Sequence, residues 1–597
     1  MEEMIEDVVV DKFNKNVWLE ILKEIGKEKK FLIGAVICSI SLGIFEVSTA
    51  FLTRYIIDVF VVKKNVLYFT PLLVFAMILS LLCYLITFFY IWFAAHIEFT
   101  VIHNLRVKIF NKYQSLPLSF YDSHSVGHLM ARITSDIVRI GDVLSWGIVD
   151  GMWQVVMLVF TFIAMFILNA KLALITLCIV PLIIPITIKI ENLILNRNRE
   201  VSAFNSKVIA TYNENIHGCL VAKTLCREEM NDEDFARLSQ KMKRASIGAA
   251  RIMALMPFIV FGISSAGSVL VNLLGGNDVM RELMTIGTLV AFSALLTQLI
   301  DPLSWFANLF TWIISTQPSV ERVIAVLDEP CEMTDSDEAI AIRDNKEMEE
   351  KVVRGEIVFD DVSFEYKKGE PVLKHFNLKV RTGETIALVG ATGAGKSTIA
   401  NLFCHFYTPT SGSLSMGGLD YKNIPQKWIC DNLGYVLQTP YLFTGSIIEN
   451  IRYGNRQATS EQVIHALELV GASSFIKNLK DGYHTHLGED GAILSTGQKQ
   501  LLSLARILVR NPAFFVLDEA TSYIDSETEQ IVQKAIELTL KGRTSFVIAH
   551  RLSTIRKASK ICVIEKGEMI ECGTHNELLA KKGAYYEFYK QQMVMNG

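Results

Sequence analysis

Six apolar stretches occupy the first half of the chain, at residues 31–62, 66–97, 144–169, 172–195, 254–274 and 286–314. A helix crosses the bilayer core with about 20 apolar residues. Each stretch meets that length, and the longest are expected to project well beyond the lipid. In hydrocarbon every backbone N–H and C=O must find a partner within the protein, so these stretches are constrained to be helices. Aliphatic and aromatic residues make up 51% of the sequence, too apolar for an ordinary soluble protein. The formal net charge of -4 implies no nucleic-acid partner. The ten cysteines are scattered without a C-x-x-C pair and read as reduced packing residues.

The gaps between stretches alternate in length. Residues 62–65 and 169–171 are short turns. Residues 99–145 and 196–251 are long and basic, with Arg106, Lys108, Lys112, Arg132 and Arg139 in the first and Arg197, Arg199, Lys241, Lys243 and Arg244 in the second. The bias of Lys and Arg toward the inner side places the long connections, and with them both chain ends, in the cytoplasm. Each long connection is broken once, at Leu116-Pro117-Leu118-Ser119-Phe120-Tyr121-Asp122 and at residues 212–218. Both breaks read as turns between helices that leave and re-enter the membrane region. Ahead of the first span, Val17, Trp18, Ile21, Leu22 and Ile25 share one face of a helix over residues 14–30. It reads as an interfacial helix, the alternative being a short solvated one.

Polar residues inside the spans are costly and usually face a cavity or a partner. Glu46 is the best substrate-path candidate, with a structural partner inside the bundle as the other reading. Arg54 and Asp58 form an i, i+4 pair, and Asp150, Gln298 and Asp301 lie deeper along the chain. Pro181 and Pro185 are expected to bend the fourth span and Pro302 the sixth.

The second half reads differently. Residues 328–354 are acidic and polar, and from Gly355 strands and helices alternate, as in an α/β domain. Gly390-Ala391-Thr392-Gly393-Ala394-Gly395-Lys396-Ser397-Thr398 fits G-x-x-x-x-G-K-S/T, between an apolar strand and a helix start. Its glycines let backbone N–H groups turn toward phosphates. Lys396 would reach the β- and γ-phosphates and Ser397 would hold Mg²⁺. Phe514-Phe515-Val516-Leu517-Asp518-Glu519 is a strand ending in two carboxylates, Asp518 for Mg²⁺ and Glu519 to polarise the attacking water. Leu494-Ser495-Thr496-Gly497-Gln498 precedes a helix and offers a second phosphate-facing surface. Tyr366 ends an early strand and presents a ring for adenine. Gln438 and His550 each follow an apolar strand.

This arrangement resembles the ATP-binding cassette exporters, in the half-transporter form with six spans fused to one nucleotide-binding domain. The resemblance runs from about Asn14 to the chain end. It implies an interfacial helix over residues 1–30, an all-α six-helix transmembrane domain over 31–325, a linker over 326–354 and an α/β P-loop nucleotide-binding domain over 355–597. By the same resemblance, residues 390–398 look like Walker A, with Gly390, Thr392, Gly393, Ala394, Gly395, Lys396, Ser397 and Thr398 binding ATP, and Tyr366 looks like the adenine-stacking residue. Ser495, Gly497 and Gln498 resemble the signature motif that meets the nucleotide of a partner chain. Asp518 and Glu519 resemble the Walker B pair, Gln438 the Q-loop residue that senses Mg²⁺, and His550 the switch histidine. Ser522-Tyr523-Ile524-Asp525 resembles the D-loop, and Leu487 to Gly491 the loop that touches the partner's coupling helix. The turns near 120–122 and 212–218 resemble the two coupling helices.

Two departures stand out. Thr496 occupies the place of the signature's first glycine, and Tyr523 that of a small D-loop residue. An intact Glu519 and His550 beside an altered signature is the pattern of the catalytically intact subunit of bacterial heterodimeric multidrug exporters. The resemblance thus implies a multi-pass protein of the cytoplasmic membrane with ATP and Mg²⁺ as cofactors. Its partner would be a different half-transporter with a degenerate Walker B. The cargo would be a hydrophobic or amphipathic small molecule, with a lipid or peptide cargo and a homodimer as alternatives. A regulatory subunit that binds ATP without pumping is a further reading, which Glu519 argues against.

Overall fold

The computed structural model describes residues 15–63, 69–330, 346–518, 526–549 and 552–596. The chain divides into two compact units. One comprises residues 1–116 and 124–330, the other 117–123 and 331–597.

The first unit is helical. α1 (Lys15–Ile25) is short, and α2 (Lys29–Tyr55) continues through π-helical turns at Ile56–Val62. α3 (Phe69–Ser115) follows, then α5 (Val126–Leu168), α6 (Ala170–His217), α8 (Glu228–Met280), α9 (Ile286–Gln298) and α10 (Ile300–Asp328). Lys29–Val62, α3 and α5 are long and apolar enough to cross a membrane. At 1.5 Å per residue, the 47 residues of α3 reach about 70 Å, more than twice a bilayer core. Phe75, Met77, Leu81 and Tyr84 of α3 are exposed, as lipid-facing side chains would be. A tight core of Ala50, Ala164, Leu172, Ala173, Ala291 and Phe292 joins α2, α5, α6 and α9.

Several expectations shift. Trp18, Ile21 and Ile25 of α1 are buried, but Leu22 is exposed and Glu24 takes its place on the buried face. Glu24 can sit there because Lys108 of α3 and its own neighbour Lys27 neutralise it, at 2.5 and 2.9 Å. Asp58 does more than pair with Arg54. Its carboxylate accepts from Gly287 N at 2.9 Å and Thr285 Oγ1 at 2.8 Å, capping the start of α9. α6 remains one helix through Pro181 and Pro185. In the sixth span the break falls at Leu299, which puts Pro302 in the first turn of α10, where no intrahelical N–H is lost. The turn in the second long connection also lies later than residues 212–218. α6 stays helical to His217, Gly218 closes it, and α7 (Cys219–Thr224) forms the turn.

The second unit begins earlier than Gly355. α11 (Lys346–Val353) stands where a solvated linker was expected, because Val352 is buried in the α/β core. α4 (Leu118–Ser123), at the first turn, also belongs to this unit. An antiparallel sheet runs β2-β1-β4-β5, from Pro371–Val380, Ile357–Glu365, Ser411–Met416 and Leu419–Asp420. β6 is Leu433–Val436, and β7 (Gly445–Ser446) pairs with β8 (His486–Leu487).

The central sheet has six strands in the order β12-β11-β3-β10-β9-β6. β3 is Thr385–Val389, β9 Phe514–Asp518, β10 Thr544–Ile548, β11 Lys560–Glu565 and β12 Glu568–Gly573. Strand alternation explains the apolar runs. Ile386 and Leu388 of β3 point into the core shared with the antiparallel sheet, while Ala387 and Val389 point into the core beneath α13 (Thr496–Arg510). Both faces are covered, so no polar alternation survives in these strands.

Candidate nucleotide site

The central sheet lines up four strand ends. β3 is parallel to β10, with Ile548 opposite Leu388, and β10 is parallel to β9, with Ile548 opposite Asp518. β6 is parallel to β9, with Val436 opposite Leu517. The carboxyl edge therefore presents, side by side, the glycine loop after β3, Asp518 at the end of β9 and the segment carrying Gln438 after β6. Open α/β sheets bind ligands at that edge. Glu519 and His550 follow Asp518 and Ala549 in the sequence and lie outside the described residues, as do residues 522–525.

The glycine loop needs its glycines. Gly390 has φ +153°, and a Cβ there would lie 2.2 Å from the Ile564 carbonyl of β11. Gly395, at φ +105°, stands left-handed at the start of α12 (Lys396–Phe403). The loop residues Thr392 and Gly393 are exposed, Ala394 is buried, and Gly567 N donates to the Ala394 carbonyl at 3.1 Å. Lys396 is buried, with Nζ donating to the Gly390 and Ala391 carbonyls, both at 2.8 Å. Burial lowers its ammonium pKa, and the Asp518 carboxylate opposes that shift. A lysine held charged against desolvation is primed to gain from an incoming polyanion.

Ser397 is exposed beside Lys396. Its hydroxyl and the Asp518 carboxylate are hard oxygen donors of the kind Mg²⁺ takes, so the residues present fit that ion. Thr398 is buried, and its Oγ1 lies 3.2 Å from Tyr366 Oη. The Tyr366 ring is 45% exposed, leaving a face for a base, and is held edge-on by Phe364 and Tyr407 at 4.8 and 5.2 Å. Gln438 is exposed.

The serine loop is busy with its own helix. Ser495 Oγ accepts from Gln498 N at 3.3 Å, and Gln498 Oε1 accepts from Ser495 N at 3.0 Å. This is a capping box, and the S-x-x-Q spacing in the sequence already signalled it. Gly497 is buried and Thr496 is exposed at the helix start. The described hydrogen bonds of Ser495 and Gln498 close within α13.

Tyr407 is the residue that sequence reasoning missed. Its hydroxyl donates to Asp122 of α4, a link across 285 positions that no local pattern reveals. Burial, then the Asp122 carboxylate, pushes the Tyr407 hydroxyl up, so it remains a donor at neutral pH. A separate apolar hollow of about 400 Å³ opens in the same unit. Tyr435, Leu437, Tyr441, Phe443, Tyr453 and Arg506 help to line it, and the Arg506 guanidinium lies 5.7 Å from the Phe443 ring centre.

Residues 32–303 match the ABC transporter transmembrane region, and residues 373–522 match the ABC transporter family. An uncharacterized ABC transporter ATP-binding protein of Bacillus subtilis is 34% identical over 97% of this chain and 95% of its own length. A probable multidrug resistance ABC transporter ATP-binding/permease protein of the same organism is 35% identical over 82% of this chain and 72% of its own. An ATP-dependent lipid A-core flippase of Desulfotalea psychrophila is 32% identical over 97% of this chain and 100% of its own.

Proposed function

The chain belongs to the ABC transporters, in the exporter form that fuses a membrane-spanning region to an ATP-hydrolysing domain, and from that premise we propose that it expels hydrophobic or amphipathic compounds as one half of a heterodimer. It is a membrane ATPase that couples hydrolysis to export. The observation that carries the hydrolytic reading is the shared edge of β3, β10, β9 and β6, which gathers a phosphate loop, a carboxylate and a glutamine.

In this reading the adenine stacks on Tyr366 and the phosphates lie along the loop N–H groups. Lys396 exchanges its bonds to the Gly390 and Ala391 carbonyls for β- and γ-phosphate oxygens. Ser397, Asp518 and Gln438 would hold Mg²⁺, which neutralises charge on the phosphates when bound. Glu519 polarises the attacking water, and His550 contacts the γ-phosphate. Ser495, Gly497 and Gln498 face the nucleotide of the partner chain, where Thr496 crowds the approach and stiffens the backbone. The partner would supply an unaltered signature to this chain's ATP and carry a degenerate Walker B of its own.

Transmission would run through α4. Asp122 holds Tyr407, Tyr407 buttresses the Tyr366 ring, and Tyr366 touches Thr398 of the phosphate loop. We read α4 as one coupling helix and α7 as the other. The apolar hollow beside Phe443 suits the α7 turn of the second chain. The nucleotide domain and both termini would face the cytoplasm. The multidrug reading draws on the apolar spans and on the name of the Bacillus subtilis relative. Lipid cargo is the second reading, favoured by the flippase that matches over its whole length.

In membranes where the wild-type chain supports ATP turnover, Glu519→Gln is expected to abolish hydrolysis while retaining bound ATP. Unchanged hydrolysis would remove Glu519 from its assigned role.

A further inference from the structure

The β11–β12 hairpin carries two thiols that ATP turnover does not use. Cys562 lies directly opposite Cys572 in the antiparallel ladder, and their sulfurs are 3.7 Å apart. Residues opposite one another in such a ladder have Cα atoms roughly 4.5–5.5 Å apart, inside the roughly 4.4–6.8 Å that a disulfide spans. Side-chain rotation can therefore bring the sulfurs to bonding distance while the strands stay paired.

The two thiols are unlike. Cys562 is fully buried against Ile386 and Leu388, whereas Cys572 is half-buried. The hydrogen bond from Cys562, helped by Lys560 and Lys581 against burial and Glu384, lowers the Cys572 thiol. The same bond and burial raise Cys562. Cys572 is thus the thiol that an oxidant reaches first, and Cys562 stands behind it in position to resolve.

The hairpin is also a wall of the phosphate loop. Cys562 pairs with Leu388 of β3, and Val563 with Val389, the last strand residue before the loop. The Ile564 carbonyl occupies the space beside Gly390. Gly567, in the hairpin turn, donates to Ala394 at 3.1 Å and accepts from Lys374 at 2.9 Å. A constraint placed on the hairpin bears on the loop through the contacts at Gly390 and Ala394 and on the strand before it through Leu388 and Val389.

We propose that Cys562 and Cys572 form a reversible dithiol–disulfide site for hydroperoxides, and that the crosslink weakens nucleotide binding by fixing the hairpin against the phosphate loop. The Cys572 thiolate attacks the peroxide O–O bond. With one proton taken up, this gives a sulfenic acid and a first water. Cys562 then attacks the sulfenic sulfur, forming the S–S bond and releasing a second water. Two thiols lose two electrons in all, and one hydrogen peroxide becomes two waters. A cellular dithiol reductant reverses the step.

The test uses the full chain in membranes, treated with hydrogen peroxide, blocked with N-ethylmaleimide and digested with trypsin without reductant. Cleavage after Lys560, Lys566 and Lys581 separates the two cysteines onto different peptides. The expected product is those two peptides joined, two hydrogens lighter than their sum, and separated by dithiothreitol. In lipid nanodiscs, oxidation is expected to raise the dissociation constant for trinitrophenyl-ATP by about fivefold or more, reversibly. Cys572→Ser and Cys562→Ser should each bind as the reduced protein does, with or without peroxide. Peptides recovered separately and alkylated would overturn the site. Linked protein with unaltered affinity, or a shift that persists in Cys572→Ser, would overturn its coupling to the loop.

Discussion

Lys396 is the residue on which the site turns. It is buried, with its ammonium desolvated and supported by two backbone carbonyls and the nearby Asp518. A charged hydrogen bond to phosphate is worth roughly 1.5–3 kcal/mol. Lys396→Ala is therefore expected to weaken trinitrophenyl-ATP binding by about 10- to 100-fold, read by fluorescence titration of the full chain. Affinity within twofold of wild type would mean that Lys396 only braces the loop. Much of this residue's role is legible in the sequence, because glycine and lysine spacing is local. The Asp122–Tyr407 bond was hidden, because only the folded chain brings two such distant positions together.

At the scale of elements, β3 must be held in place for its loop to be placed. Glu384, just before β3, accepts from Arg381 N at 3.0 Å and pairs with Lys560 of β11 at 2.9 Å. Burial alone would raise its carboxyl pKa. The Arg381 N–H and then the Lys560 ammonium outweigh that and leave it lowered. A lowered carboxylate stabilises the fold above its unfolded pKa of about 4.3 and loses that contribution as pH falls through the folded value. Glu384→Gln is expected to cost about 1 kcal/mol at pH 7, with the difference in melting temperature shrinking as pH falls below the unfolded pKa of about 4.3. A difference independent of pH would deny the ionic part. α4 makes a second case. Tyr407→Phe keeps the ring beside Tyr366 and loses the bond to Asp122. We expect nucleotide affinity to stay within about twofold while cargo-stimulated ATPase falls about fivefold or more. Lost nucleotide affinity would instead assign Tyr407 to the binding site.

At the scale of the whole molecule, the two halves were legible to different depths. Span length and charge bias mark the helices, since a bilayer permits little else, and apolar strands mark the α/β sheet. The edges were harder to read. Val352 draws α11 into the core although its neighbours are charged, and α6 runs on to His217 because residues 212–217 hold neither Gly nor Pro to end it. Asp58 was legible as a partner of Arg54 but not as the cap of α9, whose residues lie far along the chain. The S-x-x-Q spacing at Ser495 and Gln498 encodes a capping box, a local role that sits beside the phosphate-facing one. The altered signature at Thr496 bears most directly on the account, which holds that this chain needs a different partner. The deciding measurement is ATP hydrolysis by the purified chain alone in lipid nanodiscs, wild type beside Thr496→Gly. Little turnover is expected from the wild type and a rise of about tenfold or more in the variant, as glycine returns to the signature of both composite sites. Robust hydrolysis by the wild type alone, unchanged by Thr496→Gly, would contradict it.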